Sequence, residues 1–182
     1  MKKIIFFLAT IILLSCPVFA NEKQDALKAY NAYMATQSSY SRFALGYLDK
    51  DSVPELFCGN KIYTFKKGKM ASINYNFYAP YAYYKKKGVF ISAFAHGNIY
   101  MAYSCDYYYR LLKSGKTEVL LTKDFSQLKG KKEEITYRKG SKKITKAKFT
   151  KLLKKYVGAG KKVKLKYYAN DKANREKYLP AA

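Results

Sequence analysis

Three carboxylates stand close together in the run Tyr47-Leu48-Asp49-Lys50-Asp51-Ser52-Val53-Pro54-Glu55-Leu56. Alternate acidic residues in a turn, with another a few positions on, are how a short loop wraps oxygen ligands around Ca²⁺. Asp49, Asp51 and Glu55, helped by the Ser52 hydroxyl and backbone carbonyls, are the candidate metal ligands, and Ca²⁺ is the one cofactor that the sequence suggests. The run lacks the glycine and the closing glutamate of an EF-hand loop. The competing reading is a strand–turn–strand corner whose carboxylates accept backbone N–H bonds or pair with lysines.

Other reactive side chains are few. The chain has one histidine, His96, and three cysteines. With Cys16 in a leader, Cys58 and Cys105 are left as an even pair, expected to form a disulfide in an oxidising compartment. The bridge would close a loop of about 48 residues and contribute roughly 3–4 kcal/mol in the chain-entropy model. The alternative is two buried free thiols. Two cysteines and one histidine fall short of a zinc site, and no motif pairs a nucleophile with a base. Paired carboxylates can cleave glycosidic bonds, but nothing in the sequence sets two of Asp49, Asp51, Glu55, Asp106, Asp124, Glu133 and Glu134 at the needed separation. A non-enzymatic protein is expected, with a cryptic hydrolase as an alternative.

Charge says more. Against 12 Asp+Glu stand 36 Lys+Arg, a net charge of +24, and only Arg42, Arg110, Arg138 and Arg175 are arginine. Stereospecific recognition of bases, phosphates or carboxylates favours the flat guanidinium, whereas lysine is a hydrated point charge on a flexible stem. Lysine excess therefore points to diffuse, salt-sensitive attraction to a polyanion. Residues 129–182 hold 19 basic and 4 acidic residues, residues 21–128 only 15 and 8. The candidate anion-binding residues are Lys142, Lys143, Lys146, Lys148, Lys151, Lys154, Lys155, Lys161, Lys162, Lys164 and Lys166. The expected partner is an anionic cell-wall polymer or an anionic membrane surface; nucleic acid would bind only incidentally. Plain solubility is the competing explanation. Ten of the 20 tyrosines fall between Tyr75 and Tyr109, where rings serve cross-strand packing or, if exposed, stacking on sugars.

The compartment is read from the first twenty residues. Lys2 and Lys3 precede the apolar run from Ile4 to Leu14, and Val18-Phe19-Ala20 puts small residues where signal peptidase needs them. Residues 1–20 are expected to be a signal peptide cleaved after Ala20, giving a secreted or envelope-associated protein. Leu13-Leu14-Ser15-Cys16 offers the alternative of a lipoprotein lipidated at Cys16.

The elements that must carry these groups follow from periodicity. One domain is expected over 21–182: a helix over 21–38, a hairpin body over 41–124 and the basic segment 129–182. Ala26, Leu27, Tyr30, Tyr33 and Met34 recur at helical spacing, with Asn21 as the N-cap. β-branched and aromatic runs then alternate with turns around Gly68, Gly88, Gly115 and Gly140, a meander of hairpins whose third hairpin has a long strand from Ile99 to Leu111. Phe149, Leu152, Leu153, Tyr156 and Val157 form a helical stripe among lysines, with Thr145 and Gly158 as caps. This basic helix either docks on the sheet or lies on an anionic membrane. A last short helix is expected from Asp171 to Leu179. The fold class is α+β: a twisted antiparallel β-meander with an N-terminal helix and one or two C-terminal helices.

Two stretches carry a resemblance. Phe43-Ala44-Leu45 through Pro54-Glu55-Leu56 resembles the aliphatic–D-x-D-G-D-G-x-P-E-L loop of secreted proteins and lipoproteins of clostridial-type Gram-positive bacteria. That loop also recurs in calcium-binding propeller (FG-GAP, VCBS) and dockerin-like repeats. Asn170-Asp171-Lys172-Ala173-Asn174-Arg175-Glu176-Lys177-Tyr178-Leu179 resembles the N-T-x-x-N-R-x-x-Y-L terminus of the same proteins. The resemblance implies an N-terminal helix, a calcium-type loop between two strands, tyrosine-rich hairpins, a lysine-rich end and no particular reaction. Asp49, Asp51 and Glu55 match its carboxylates, while Tyr47 replaces the first Asp, and Lys50 and Ser52 the two glycines. Losing a ligand and gaining an ammonium both weaken a cation site. The sequence thus supports an envelope-binding module first, and a Ca²⁺-stabilised adhesion or structural module as the alternative.

Overall fold

The computed structural model describes residues 21–75, 78–112 and 114–180; the expected leader, its cleavage point and Cys16 lie outside the described residues. Residues 21–35 are helical (α1), and Asn21 is already inside the helix, so it is not the cap. Ala26, Leu27, Tyr30 and Met34 form the buried stripe, while Lys23, Asp25 and Lys28 face solvent. The far end of the chain finishes this helix. Buried Asn170 donates through Nδ2 to the carbonyls of Met34, Gln37 and Ser38 at 2.8, 3.2 and 3.1 Å, covering acceptors that a helix C-terminus leaves open.

Four strands follow: β1 (Arg42–Gly46), β2 (Glu55–Cys58), β3 (Lys61–Lys66) and β4 (Lys69–Asn74). Six more come next: β5 (Pro80–Tyr84), β6 (Val89–Gly97), β7 (Met101–Leu111), β8 (Thr117–Leu128), β9 (Glu134–Lys139) and β10 (Lys142–Ile144). Helix α2 (Lys146–Val157) leads to β11 (Lys162–Lys164), β12 (Tyr168–Ala169) and α3 (Lys172–Tyr178). The expected α+β class holds, with helices from both ends of the chain.

The meander of hairpins holds as well, since β1 to β4 and β5 to β10 lie side by side in chain order, but it is split. Among the described residues there are two sheets, ordered β12-β1-β2-β3-β4 and β10-β9-β8-β7-β6-β5-β11, and every pairing is antiparallel. They stack, giving four layers. The first core lies between α1 and the five-stranded sheet, where Tyr30 and Met34 meet Phe43, Leu56 and Phe65, with Leu179 closing the end. The second lies between the sheets and joins Ala44, Phe57, Ile62 and Tyr75 to Tyr83, Phe90 and Tyr109. The third puts α2 on the outer face of the seven-stranded sheet through Phe149 and Val157, against Ile91, Tyr108 and Leu121. Tyr75, Tyr83, Tyr108 and Tyr109 are core residues, so much of the tyrosine cluster is packing. The stripe of α2 is likewise occupied: Phe149 meets Tyr108 edge-on at 5.3 Å and Tyr137 at 5.0 Å. That overturns the option of α2 lying on a membrane by its apolar face.

Candidate functional site

The acidic corner joins β1 to β2. Its two flanks are fixed, since Leu48 is buried in the core between the sheets and Val53 in the core under α1. A Cβ at Gly46 would meet the rings of Phe57 and Tyr83 at 3.0 Å, so any larger residue there would have to displace them. Glu55, only 2% exposed, accepts the Leu48 N–H at 2.6 Å and the Asp49 N–H at 3.3 Å, one on each oxygen. Asp49 Oδ1 accepts the Asp51 N–H, and Asp51 Oδ1 the Val53 N–H, each at 3.0 Å. These are two successive Asx turns, which shape the loop from its own side chains. The remaining pair of oxygens faces Lys66 of β3, whose ammonium lies 2.6 Å from Asp49 Oδ2 and 3.7 Å from Asp51 Oδ2.

Burial pushes the Glu55 carboxyl up to about 8, against the pull of the Leu48 N–H. Burial also raises Asp49, but the bonds from Lys66 and the Asp51 N–H outweigh it and hold this acid below its ordinary value. Asp51 is raised by burial and by its charged neighbour Asp49. The bond to Asp49 raises Lys66 in turn.

The sequence-expected metal ligands do come together, with one ligand atom from each of Asp49, Asp51 and Glu55 within 4.8 Å of the others. They come together around an ammonium. Ca²⁺ takes six to eight oxygens, and here four of the carboxylate oxygens already accept backbone N–H groups while the other two face Lys66. With Lys66 in place the donor set does not fit a calcium shell. Lys66 was not a sequence candidate: it is 17 residues from Asp49, and only the register of β3 brings it here.

The expected disulfide is not formed, and Cys58 and Cys105 are free thiols. Cys58 belongs to β2 and packs toward the core under α1. Cys105 belongs to β7 of the other, seven-stranded sheet, in register there with Phe94 and Asp124. Packed sheets lie about 10 Å apart, beyond the Cα separation that a disulfide spans. Burial, with Asp124 adding to it, pushes the Cys105 thiol up to about 12, so it is a poor nucleophile. Asp124 itself takes the Arg138 Nε at 2.9 Å and the Tyr103 hydroxyl at 3.3 Å. His96 is exposed and lies parallel to the Phe94 ring at 6.5 Å.

The lysines form the other candidate site. All eleven from Lys142 to Lys166 are exposed, and none is in an ion pair; those formed among the described residues use Lys66, Arg110, Arg138 and Lys172. Lys142 and Lys143 lie on β10, one edge of the seven-stranded sheet, and Lys162 and Lys164 on β11, the other edge. Helix α2 connects the two across the outer face and carries Lys146, Lys148, Lys151, Lys154 and Lys155. The result is a basic band about 30 Å wide, from six inter-strand gaps of ~4.8 Å. A depression along it is lined by Ala147, Lys148, Lys151, Leu152, Lys154 and Lys155. Two of the lysines, Lys162 and Lys166, lie over the rings of Tyr81 and Tyr168. The edge lysines also protect the sheet from pairing with another chain.

Helix α2 carries the lysines of its first turn against its own interest, while Lys154 and Lys155 in its last turn suit its dipole. Its first turn has no acidic residue and contains Lys146 and Lys148, where the helix dipole disfavours cations. Lys151 and Lys155 are an i, i+4 like-charge pair. What holds the helix are its caps, with Thr145 accepting the Lys148 N–H at 3.2 Å, and the Phe149 contact. Compared with family models, with curated proteins and with solved structures, the chain gives no match.

Proposed function

We propose that this chain is a secreted, non-enzymatic module of the cell envelope that holds an anionic polymer along the lysine band of α2, β10 and β11. One observation carries this: eleven exposed lysines, five on α2 and four on the two edge strands of the seven-stranded sheet, form no ion pair among the described residues. A field of one sign attracts a linear polyanion and releases its counterions, so binding weakens steeply with salt. Export is supported by Lys2-Lys3, the apolar run to Leu14 and Val18-Phe19-Ala20. No helix among the described residues is long and apolar enough to cross a membrane.

The alternatives have less behind them. A calcium-stabilised module has the convergence of Asp49, Asp51 and Glu55 in its favour and Lys66 against it. A hydrolase would need a free acid–base pair, whereas Asp124 is tied to Arg138 and the corner acids to backbone N–H groups.

The test is pelleting of the protein with cell-wall sacculi that retain or lack teichoic acid, at low and near-physiological salt. Binding should need the teichoic acid, weaken with salt and fall in a Lys148→Gln, Lys151→Gln, Lys155→Gln variant. Equal, salt-insensitive binding to both preparations would reject the basic band and redirect attention to exposed aromatic rings and neutral glycan.

A further inference from the structure

Most turns between consecutive strands of the two sheets are made of lysine, glycine and serine: Lys67-Gly68, Lys86-Lys87-Gly88, Ser114-Gly115, Lys129-Gly130-Lys131 and Lys139-Gly140-Ser141. The turn between β6 and β7 is different. It runs Asn98-Ile99-Tyr100-Met101, so Ile99 is a turn residue and not the start of the strand. Its backbone is closed by the Asn98 N–H on the Met101 carbonyl at 2.8 Å. Asn98 Oδ1 accepts the N–H groups of Tyr100 and Met101, both at 2.9 Å. The asparagine thus meets the needs of the turn, and neither Ile99 nor Tyr100 is a residue that turns select. The cores do not need them either, since Ile99 is 78% and Tyr100 63% exposed. Met101 pairs in register with Leu128, and both are exposed. An exposed run of large apolar residues at a hairpin end breaks the patterning that the other turns keep, and such breaks mark contact surfaces.

The neighbouring turn is basic. The Lys129 N–H donates to the Tyr100 carbonyl at 2.8 Å, its ammonium lies 5.8 Å from the centre of the Tyr100 ring, and Lys131 and Lys132 follow, exposed. Glu133 and Glu134 come after them, and Glu134 pairs with Ser126, two residues back from the tip. Lys129 is therefore a charge set directly beside the apolar side chains, and the turn 129–133 as a whole carries three lysines against one glutamate.

We infer that this double-hairpin tip inserts into the interface of an anionic lipid bilayer. Ile99, Met101 and Leu128 enter the acyl boundary and Tyr100 sits at headgroup depth, where tyrosine is enriched. Lys129, Lys131 and Lys132 lay their stems along the apolar side chains and hold anionic headgroups with their ammonium ends. An apolar protein groove would use the first set and leave the lysines without a role. A tip of this size gives weak, reversible attachment, not permanent anchoring. It uses none of the lysines of the band, so either surface can fail without the other.

The chain contains no tryptophan, so Tyr100→Trp places a sole indole on the tip. With vesicles of phosphatidylcholine and phosphatidylglycerol its emission should shift to the blue and be quenched by lipids brominated in the upper acyl chain. Vesicles of phosphatidylcholine alone should do neither, and an indole at exposed Tyr40 should respond to neither vesicle. An Ile99→Ser, Leu128→Ser variant, which keeps Asn98, should lose about tenfold in sedimentation with the anionic vesicles. Its melting temperature is measured alongside. An unshifted Y100W indole at saturating anionic lipid, equal binding by the serine variant, or equal insertion into neutral vesicles would each overturn the proposal, the first pointing to a protein partner for the tip.

Discussion

The acidic corner and the basic band use charge in opposite ways. At the corner every carboxylate oxygen of Asp49, Asp51 and Glu55 has a backbone N–H or the Lys66 ammonium beside it. In the band, eleven lysines form no ion pair among the described residues, and the helix that carries five of them has cations at its N-terminus. Charge that the fold satisfies reports on the fold; charge that the fold leaves unpaired, and that the first turn of its helix would be better without, reports on a partner. The corner is therefore read as architecture and the band as a working surface.

The sharpest way to break this contrast is to remove what holds the band in place. Phe149→Ala should destabilise the protein by about 3–5 kcal/mol, as large aromatic truncations in cores do. Urea denaturation would measure it, and a loss under about 1 kcal/mol would mean that α2 is not docked as described. Next comes the buried acid. Glu55→Ala leaves the Leu48 and Asp49 N–H groups without their acceptor and should cost about 2–4 kcal/mol. Glu55→Gln keeps an acceptor and should cost much less.

Glu55 also sets a pH dependence. Its carboxyl is raised from 4.5 to about 8 in the folded state, so between those values the folded chain holds a proton that the unfolded chain has lost. The stability tied to that proton is full below 4.5 and is lost as pH rises through 8. Melting temperature should fall from about pH 6 to about pH 8.5, and Glu55→Gln should flatten this slope. A parent chain that gains stability over that range would contradict the protonated corner.

Smaller effects separate the two regions further. Lys66 is well exposed, so Lys66→Ala should cost no more than about 1 kcal/mol, and added Ca²⁺ should raise the melting temperature of this variant more than that of the parent. An equal rise in both would show that the ammonium does not keep calcium out. In the band the sign reverses: Lys151→Gln relieves like-charge contacts in α2 and should stabilise by about 0.2–0.5 kcal/mol, read as a small upward shift in the denaturation midpoint. A clear loss would mean that the lysines are there for stability.

Much of this was legible in the sequence where a local signal exists. The stripe Phe149, Leu152, Leu153, Tyr156 and Val157, with Thr145 before it and Gly158 after it, gave α2 to the residue. The Lys-Gly turns were legible because Gly68 and Gly88 supply the positive φ, +72° and +65°, that such turns need. What failed was non-local. Val89-Phe90-Ile91 is buried on both faces, each serving a different core, so it has no alternation to announce the split into two sheets. The cysteines were counted correctly and paired wrongly, since an even number says nothing about which sheet holds each. At the corner the carboxylates were legible, but Lys66 reaches them only through strand register. Ile99 fitted a strand by composition and proved to be in the turn, because Asn98 sets that backbone through its side chain. The closing Asn170–Leu179 motif was visible as a pattern; its work, capping α1 and closing the first core, needs the fold.

The most direct test of the central contrast is the salt dependence of binding to a soluble phosphate polymer. It would be measured by titration for the parent and for the Lys148→Gln, Lys151→Gln, Lys155→Gln variant, with Lys66→Ala as the corner control. A basic band predicts that log affinity falls linearly with log salt, and that the triple variant loses affinity and roughly two to three units of slope. Lys66→Ala should match the parent. If parent and triple variant bind alike, or if Lys66→Ala is the one that loses affinity, the unpaired lysines of α2 are not the binding surface.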